Sequence, residues 1–245
     1  MTEPGAQYDP IVSRYDAYAQ TATLKRAECY TVFRMAGALA GQRVLDLACG
    51  FGFYTRRFKQ EGAATVVGVD ISPEMIRLAT QREQAAPLGL AYQVGDAATL
   101  PQLGPFDLVT AAYLLNNAAR RDQLLGMCRG VYDHLVPGGR FIAYTMNPAF
   151  TLRKPNATKY GVTVTVLREE DGSACESEVV ADPPFRLGWY RWSRATYAWA
   201  LREAGFRDVA WYPSAVAPED VARYGEAYWQ DFHDNCPVIG LMCQK

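Results

Sequence analysis

Histidine is scarce: only His134 and His233 occur. The six cysteines, Cys29, Cys49, Cys128, Cys175, Cys236 and Cys243, include no C-x-x-C pair, and none lies at ligand spacing from a histidine. A metal centre is therefore not expected. The thiols read as reduced and mostly buried, the usage of a cytoplasmic protein. No run of Lys and Arg occurs, and 25 basic residues balance 26 acidic ones. A protein that grips a phosphate backbone carries a basic excess or stripe, so nucleic acid is not an expected partner. No apolar stretch reaches the ~18 residues of a membrane span. The leading MTEPGAQYDP lacks the apolar core of a signal peptide. What is present suits a globular protein: 49% of residues are hydrophobic, and 245 residues are enough for one large domain or two small ones.

Residues 8–40 read as one or two helices that mix aromatics with charges. Strands and helices then alternate. Val44–Cys49 is a short apolar run that ends in a Gly-rich turn, and residues 53–61 follow as a helix. Thr65–Asp70 is the next strand. Ser72-Pro73-Glu74 opens a helix, with Ser as the cap and Pro in the first helical position. Residues 90–96, 106–114 and 140–145 read as further strands, with an amphipathic helix over 121–135. Apolar strands alternating with helices indicate a parallel sheet covered on both faces. Right-handed crossovers place the turns after the strands at one edge, where ligands of such sheets bind. From residue 148 to 190 the pattern changes to strand-like alternation that turns at Glu170-Asp171-Gly172, a hairpin insertion. A helix over 196–203 and strands over 206–212 and 238–243 complete the chain.

The strongest signal is Val44-Leu45-Asp46-Leu47-Ala48-Cys49-Gly50-Phe51-Gly52. Glycine at this turn lets backbone approach a ligand. A dinucleotide fold wants a third glycine three residues on, where this chain has Thr55. Asp46 before the turn disfavours a pyrophosphate and favours a ligand carrying a positive group. Asp70 closes the second strand, where a carboxylate accepts from both hydroxyls of a ribose. Asp96 closes the third and suits an adenine amine. Three strand-terminal carboxylates around a cationic nucleoside point to S-adenosylmethionine.

VLDLACGFG, VVGVDIS, VGDA, FDLVTAAYLL and HLVPGGRFI together resemble the class I S-adenosylmethionine-dependent methyltransferases over residues 40–147. The resemblance implies an α/β, Rossmann-like seven-stranded mostly parallel sheet with the last strand antiparallel and helices on both faces. It implies a single domain over 1–245, with 1–40 as a helical lid and 148–190 as a β-hairpin cap after strand five. It implies that Ala48, Gly50 and Gly52 line the methionine part of the cofactor and that Asp70 holds the ribose. Ile71 and Met75 would flank the adenine, Asp96 and Ala97 would meet its edge, and Ala112 would border the methyl group. S-adenosylhomocysteine would be the product. Over nearly its whole length the chain is also similar to the methyltransferases of toxoflavin biosynthesis, through YDPIVSRYDAY, AYLLNNA, SRATYAWALREAGF and YWQDFHDNCPVIGLMCQK. These imply methylation of a ring nitrogen in a fused, planar heterocycle.

In methyl transfer the sulfonium supplies activation, so the protein mainly aligns the reactants and excludes water. No general base stands out: His134 reads as a helix-end residue and His233 as peripheral. Aromatic residues are plentiful and suit a planar acceptor beside a cationic donor. Tyr15 is expected as a lid over the cofactor, and Arg26 is placed against the cofactor carboxylate. Tyr8, Tyr113, Asn116, Tyr144, Asn147, Trp189 and Trp192 are the expected acceptor contacts. The expected partner is one small molecule, without membrane or nucleic acid, for a monomer or homodimer.

Asp182-Pro183-Pro184-Phe185 spells the catalytic loop of enzymes that methylate DNA amino groups. There it must end the fourth strand, but here it leaves the insertion. Two prolines stiffen it, so it reads as a hinge of the cap. An O- or N-methyltransferase of another small metabolite, a non-catalytic cofactor-binding module and a nicotinamide oxidoreductase are the remaining alternatives. The missing third glycine and Asp46 disfavour the oxidoreductase.

Overall fold

A computed structural model describes residues 11–245. Two helices, α1 (Val12–Thr21) and α2 (Thr23–Ala36), precede β1 (Arg43–Leu47). Then follow α3 (Phe53–Gln60), β2 (Thr65–Asp70), α4 (Pro73–Ala85), β3 (Ala91–Val94), β4 (Phe106–Ala112), α5 (Arg121–Asp133) and β5 (Leu135–Met146). A second group comprises β6 (Val162–Val166), β7 (Ser173–Val179) and β8 (Phe185–Arg191). The chain closes with α6 (Arg194–Glu203), β9 (Arg207–Pro213), α7 (Pro218–Tyr224), α8 (Glu226–Asp234) and β10 (Val238–Gln244).

Seven strands form one sheet in the order β3-β2-β1-β4-β5-β10-β9. β1 pairs in parallel with β2 and β4, whereas β10 runs antiparallel to both β5 and β9. This is the expected mostly parallel sheet, with the last strand inserted before the edge. Strand order reverses beside β1, so the crevice for a ligand opens between the ends of β1 and β4.

The period of two in each strand divides the core between the two faces. On one face, Leu45, Leu47, Val109, Phe141 and Ala143 pack with α5 and α6 through Leu124, Cys128, Ala200 and Leu201. On the other, Val44, Leu108, Ile142 and Tyr144 pack with α2, α3 and α8 through Val32, Phe58 and Trp229. The helix α8 was not evident from sequence. Trp229 anchors it, fully buried and stacked on Tyr160 with ring centroids 5.4 Å apart. Truncating a Trp buried this way costs about 3–5 kcal/mol. As expected, Ser72 caps α4 by accepting from the Met75 N–H at 3.1 Å, and Ser193 caps α6 in the same way through Thr196.

The insertion has one strand more than the expected hairpin: β6, β7 and β8 form a separate antiparallel sheet. Asp182-Pro183-Pro184 makes the turn between β7 and β8, with a cis Asp182–Pro183 peptide. It does not adjoin β4. Phe185 opens β8 and packs against Tyr15 of α1, with centroids 6.2 Å apart. So the tetrapeptide joins the cap to the N-terminal helix, close to its expected hinge role.

Candidate active site

Two cavities meet at the carboxyl ends of the strands. The first is framed by the turns after β1, β2, β3 and β4. Ala48 and Gly50 form its floor, both with positive φ (54° and 55°). A Cβ on Gly50 would project into open space, its nearest neighbour being Met75 Sδ at 3.9 Å. The turn therefore brings bare backbone to the cavity. Asp70 ends β2 and is buried. Its Oδ2 accepts from the Gly50 N–H at 2.7 Å and its Oδ1 from the Ser72 N–H at 2.9 Å. Ile71 and Met75 form an apolar wall, and Asp96 and Ala97 close the far end. Asp96 is exposed, and its Oδ1 caps the turn through the Ala98 N–H at 2.9 Å. Ala112, Tyr113 and Tyr15 complete the lining on the side of the second cavity.

The second cavity lies between α1, α2, the turn after β4 and the cap sheet. Alternation puts Ser177 and Val179 of β7 and Leu187 and Trp189 of β8 on one face of the cap, and that face walls the cavity. Trp189 is fixed by donating from Nε1 to the Ser177 hydroxyl at 2.9 Å. Opposite stand Tyr15, Tyr18, Leu24 and Glu28, with Tyr113 and Asn116 at the base. Tyr15 and Tyr113 border both cavities. Tyr15 contacts Phe51 of the Gly-rich turn, with centroids 6.1 Å apart. The Arg82–Asp16 pair ties α1 to α4 at 2.5 Å. The helix α1 thus lies over the turn.

Several expected contacts lie elsewhere. Asp46 does not face the first cavity. It shares the strand face of Val44 and is buried under α3, where it accepts from Thr55 Oγ1 at 2.7 Å and Thr110 Oγ1 at 2.8 Å. Burial pushes its carboxyl up to about 6, against the opposing pull of the two hydroxyls. It braces the turn from below, so it gives no argument against a pyrophosphate. Gly52 belongs to the turn but does not line the first cavity. Its φ of 81° starts α3, and a Cβ there would meet Tyr92 Oη at 2.3 Å. Arg26 is exposed and donates from Nε to Asp220 of α7 at 2.6 Å, on the outer side of α2.

Tyr144 belongs to the packed face of β5 and shares a 2.7 Å hydrogen bond with the Ser214 hydroxyl. Asn147 donates to the Cys236 carbonyl at 2.9 Å and ties β5 to the approach to β10. Trp192 lies beyond the end of β8, in the core, with Nε1 donating to the Ala118 carbonyl at 2.9 Å. The aromatic run 188–192 is thus divided by strand alternation, and only Trp189 reaches the cavity. Tyr8 lies outside the described residues. His134 is buried, with its ring nitrogens against the Gly130 and Pro101 carbonyls at 2.7 and 3.1 Å, a structural place.

Sequence reasoning missed Asn117 and Met127 in the first cavity and Glu28 in the second. Lys25 and Glu28 have the (i, i+3) spacing of a solvated helix pair. Only the packing of α2 shows that both are buried. Among the described residues no cluster of three His, Cys, Asp or Glu side chains suits a metal ion, and no helix is long and apolar enough to cross a membrane.

The chain is similar to known proteins in sequence and in fold. Residues 44–139 match the family model of a methyltransferase domain. The demethylmenaquinone methyltransferase of Thermus thermophilus is 36% identical over 111 residues, covering 44% of this chain and 49% of that protein. The ubiquinone biosynthesis O-methyltransferase of Xanthomonas euvesicatoria is 31% identical over 111 residues, 44% and 45% of the two chains. The chain spans about half the length of these curated relatives. An S-adenosylmethionine-dependent methyltransferase structure from Clostridium acetobutylicum superposes with a TM-score of 0.67 at 19% identity, over 97% of this chain and 98% of that one. The chain thus has the Rossmann-like fold of S-adenosylmethionine-dependent methyltransferases.

Proposed function

We propose that the chain transfers a methyl group from S-adenosylmethionine to a ring nitrogen of a planar heteroaromatic small molecule, of the toxoflavin precursor type. The observation that carries this reading is the junction of the two cavities at Tyr15 and Tyr113. One side offers a nucleoside-shaped lining with a buried carboxylate. The other offers aromatic and aliphatic walls.

The first cavity fits the donor. Asp70 would accept from the ribose hydroxyls, Ile71 and Met75 would flank the adenine, and Ala48 and Gly50 would give backbone to the amino acid part. When bound, the donor supplies a methyl group already activated by a positive sulfur. The chain's own residues align and dry the junction. Tyr15 covers it from the lid, and Tyr113 faces it from the end of β4. Trp189 and Tyr18 offer flat surfaces that order a planar acceptor.

The names of the relatives favour a second reading, a quinone-type acceptor, with oxygen the methylated atom in one of those names. The same flat cavity accommodates either ring. Methylation assays with labelled donor against fused nitrogen heterocycles and against hydroquinones separate them. Product from the heterocycles supports the first reading, and product from hydroquinones alone replaces it with the second. Calorimetry should show S-adenosylhomocysteine binding in either case; its absence would remove both.

A further inference from the structure

Glu28 is 2% exposed, yet it borders the second cavity. Its Oε1 is held by Lys25 Nζ at 2.5 Å and by the Tyr54 hydroxyl at 2.6 Å. Its Oε2 accepts from the Tyr113 hydroxyl at 2.7 Å. Lys25 is buried too and lies over the rings of Phe53 and Tyr54. Burying such a pair is expensive, and apolar replacements of the same shape are often no less stable. So stability alone does not account for a carboxylate at this position. Tyr113 is also held in an unusual way. It is a non-glycine residue at φ 63°, with its N–H donating to the Tyr144 carbonyl at 2.7 Å and its carbonyl accepting from Asn117 Nδ2 at 2.5 Å. A backbone held in that region costs about 1–3 kcal/mol and persists where the surroundings impose it. Here it directs the ring into the place where both cavities open.

We propose that Tyr113 and Glu28 form the proton exit of the acceptor site: Tyr113 contacts the acceptor N–H or O–H and passes its own proton to Glu28. This rests on the methyl transfer reading above. The acceptor atom forms its new bond to the methyl carbon while the carbon–sulfur bond breaks, and sulfur keeps that electron pair. The acceptor proton moves to Tyr113 Oη as the phenol proton moves to Glu28 Oε2, and Glu28 releases it to water after product leaves. Tyr113 never holds a lasting negative charge. Burial and the Glu28 charge hold its phenol well above the usual tyrosine range, so the two transfers are coupled.

The groups facing Glu28 are few. Lys25 and Cys29 come from its own helix, Tyr18 from α1, Tyr54 from α3, Tyr113 from the turn after β4 and Tyr144 from β5. The phenols and the thiol are all raised by burial, so none of them titrates on the acid side of neutrality.

The test uses Glu28→Gln and Tyr113→Phe in the full chain, with the best acceptor from the heterocycle and hydroquinone assays and with an acceptor already anionic at assay pH. With the protonated acceptor, each variant should lose about 100-fold in kcat, the low end of general base catalysis. The double variant should lose no more than either single one. With the anionic acceptor both variants should retain kcat within threefold, a rescue that a merely structural defect would not allow. S-adenosylhomocysteine affinity within twofold of wild type reports an intact first cavity. Tyr113→Phe leaves the Lys25–Glu28 pair in place, so it remains a test if Glu28→Gln fails to fold. Wild-type kcat with the protonated acceptor in Tyr113→Phe would overturn the proposal while leaving methyl transfer intact. Absence of methylation by the wild type itself would remove the underlying function and this inference with it.

Discussion

The two cavities differ in how the chain builds them. The first is assembled almost wholly between Leu47 and Met127, from turns that directly follow strands, with Tyr15 alone brought from outside among the described residues. Its chemistry comes from backbone and from two carboxylates, Asp70 and Asp96, held by backbone N–H groups. The second gathers α1, α2, the β4 turn, the cap sheet and the approach to β10, from Tyr15 to Val238. Its chemistry comes from side chains that meet only after folding. A donor site common to a fold can be written into local turns. An acceptor site is written into long-range packing, which is also where a fold changes its substrate.

Each region has a buried carboxylate, and their neighbours differ. Glu28 has an ammonium partner, whereas two neutral hydroxyls hold Asp46. The largest predicted effect follows from that contrast. In the folded chain the Asp46 carboxyl is raised from 3.8 to about 6. Folded protein therefore keeps a proton that unfolded chain has released. The stability from this proton is full below about pH 3.8 and is lost as pH rises through about 6, by up to about 3 kcal/mol. Asp46→Asn carries no such proton. In urea titrations, wild type should lose about 3 kcal/mol relative to Asp46→Asn between pH 4 and pH 7. Parallel curves would mean that Asp46 is ionised in the fold and that its two hydroxyls outweigh burial.

Next in size is Asp70, on the donor side alone. Asp70→Ala should weaken S-adenosylhomocysteine by about 2 kcal/mol, roughly 30-fold, through loss of charge-assisted hydrogen bonds. Calorimetry measures it, and unchanged affinity would take the ribose role from Asp70. Trp189→Leu is the opposite case and should act on the acceptor side alone. We expect the acceptor KM to rise about tenfold, about 1.4 kcal/mol, for loss of an aromatic face, with S-adenosylhomocysteine affinity within twofold. Equal losses for both ligands would show that the cavities are not separable.

The same contrast explains what was legible in the sequence. The alternation of strands and helices and the helix caps at Ser72 and Ser193 follow from local patterns, as do Gly50, Asp70, Ile71 and Met75, which line the first cavity. Asp46 was misplaced because its position in β1 was read from its nearness to the turn. Strand alternation with Val44 would have put it on the far face. Trp192 failed for a related reason: Trp189 and Trp192 are three residues apart, across the end of a strand, so they do not share a direction. Arg26 and Glu28 lie two positions apart on one helix, and only the packing of α2 decides that Arg26 is exposed and Glu28 buried. No local signal in the sequence carries that information.

The smallest predicted effect concerns the second glycine of the turn. Tyr92 of β3 fills the space left by two glycines: a Cβ on Gly52 would lie 2.3 Å from its Oη, and one on Gly68 2.7 Å from its Cδ1. Its hydroxyl is buried with no hydrogen-bond partner among the described residues. The ring therefore supports the donor turn from behind, while the hydroxyl adds only its desolvation cost. Tyr92→Phe keeps the ring and removes that cost, so stability should rise by up to about 1 kcal/mol in urea titrations. S-adenosylhomocysteine affinity should stay within twofold, because the hydroxyl faces the back of the turn and not the first cavity. A loss of affinity in Tyr92→Phe would place that hydroxyl, and Gly52 with it, in the donor site. The boundary between the turn that binds and the packing that supports it would then move by one strand.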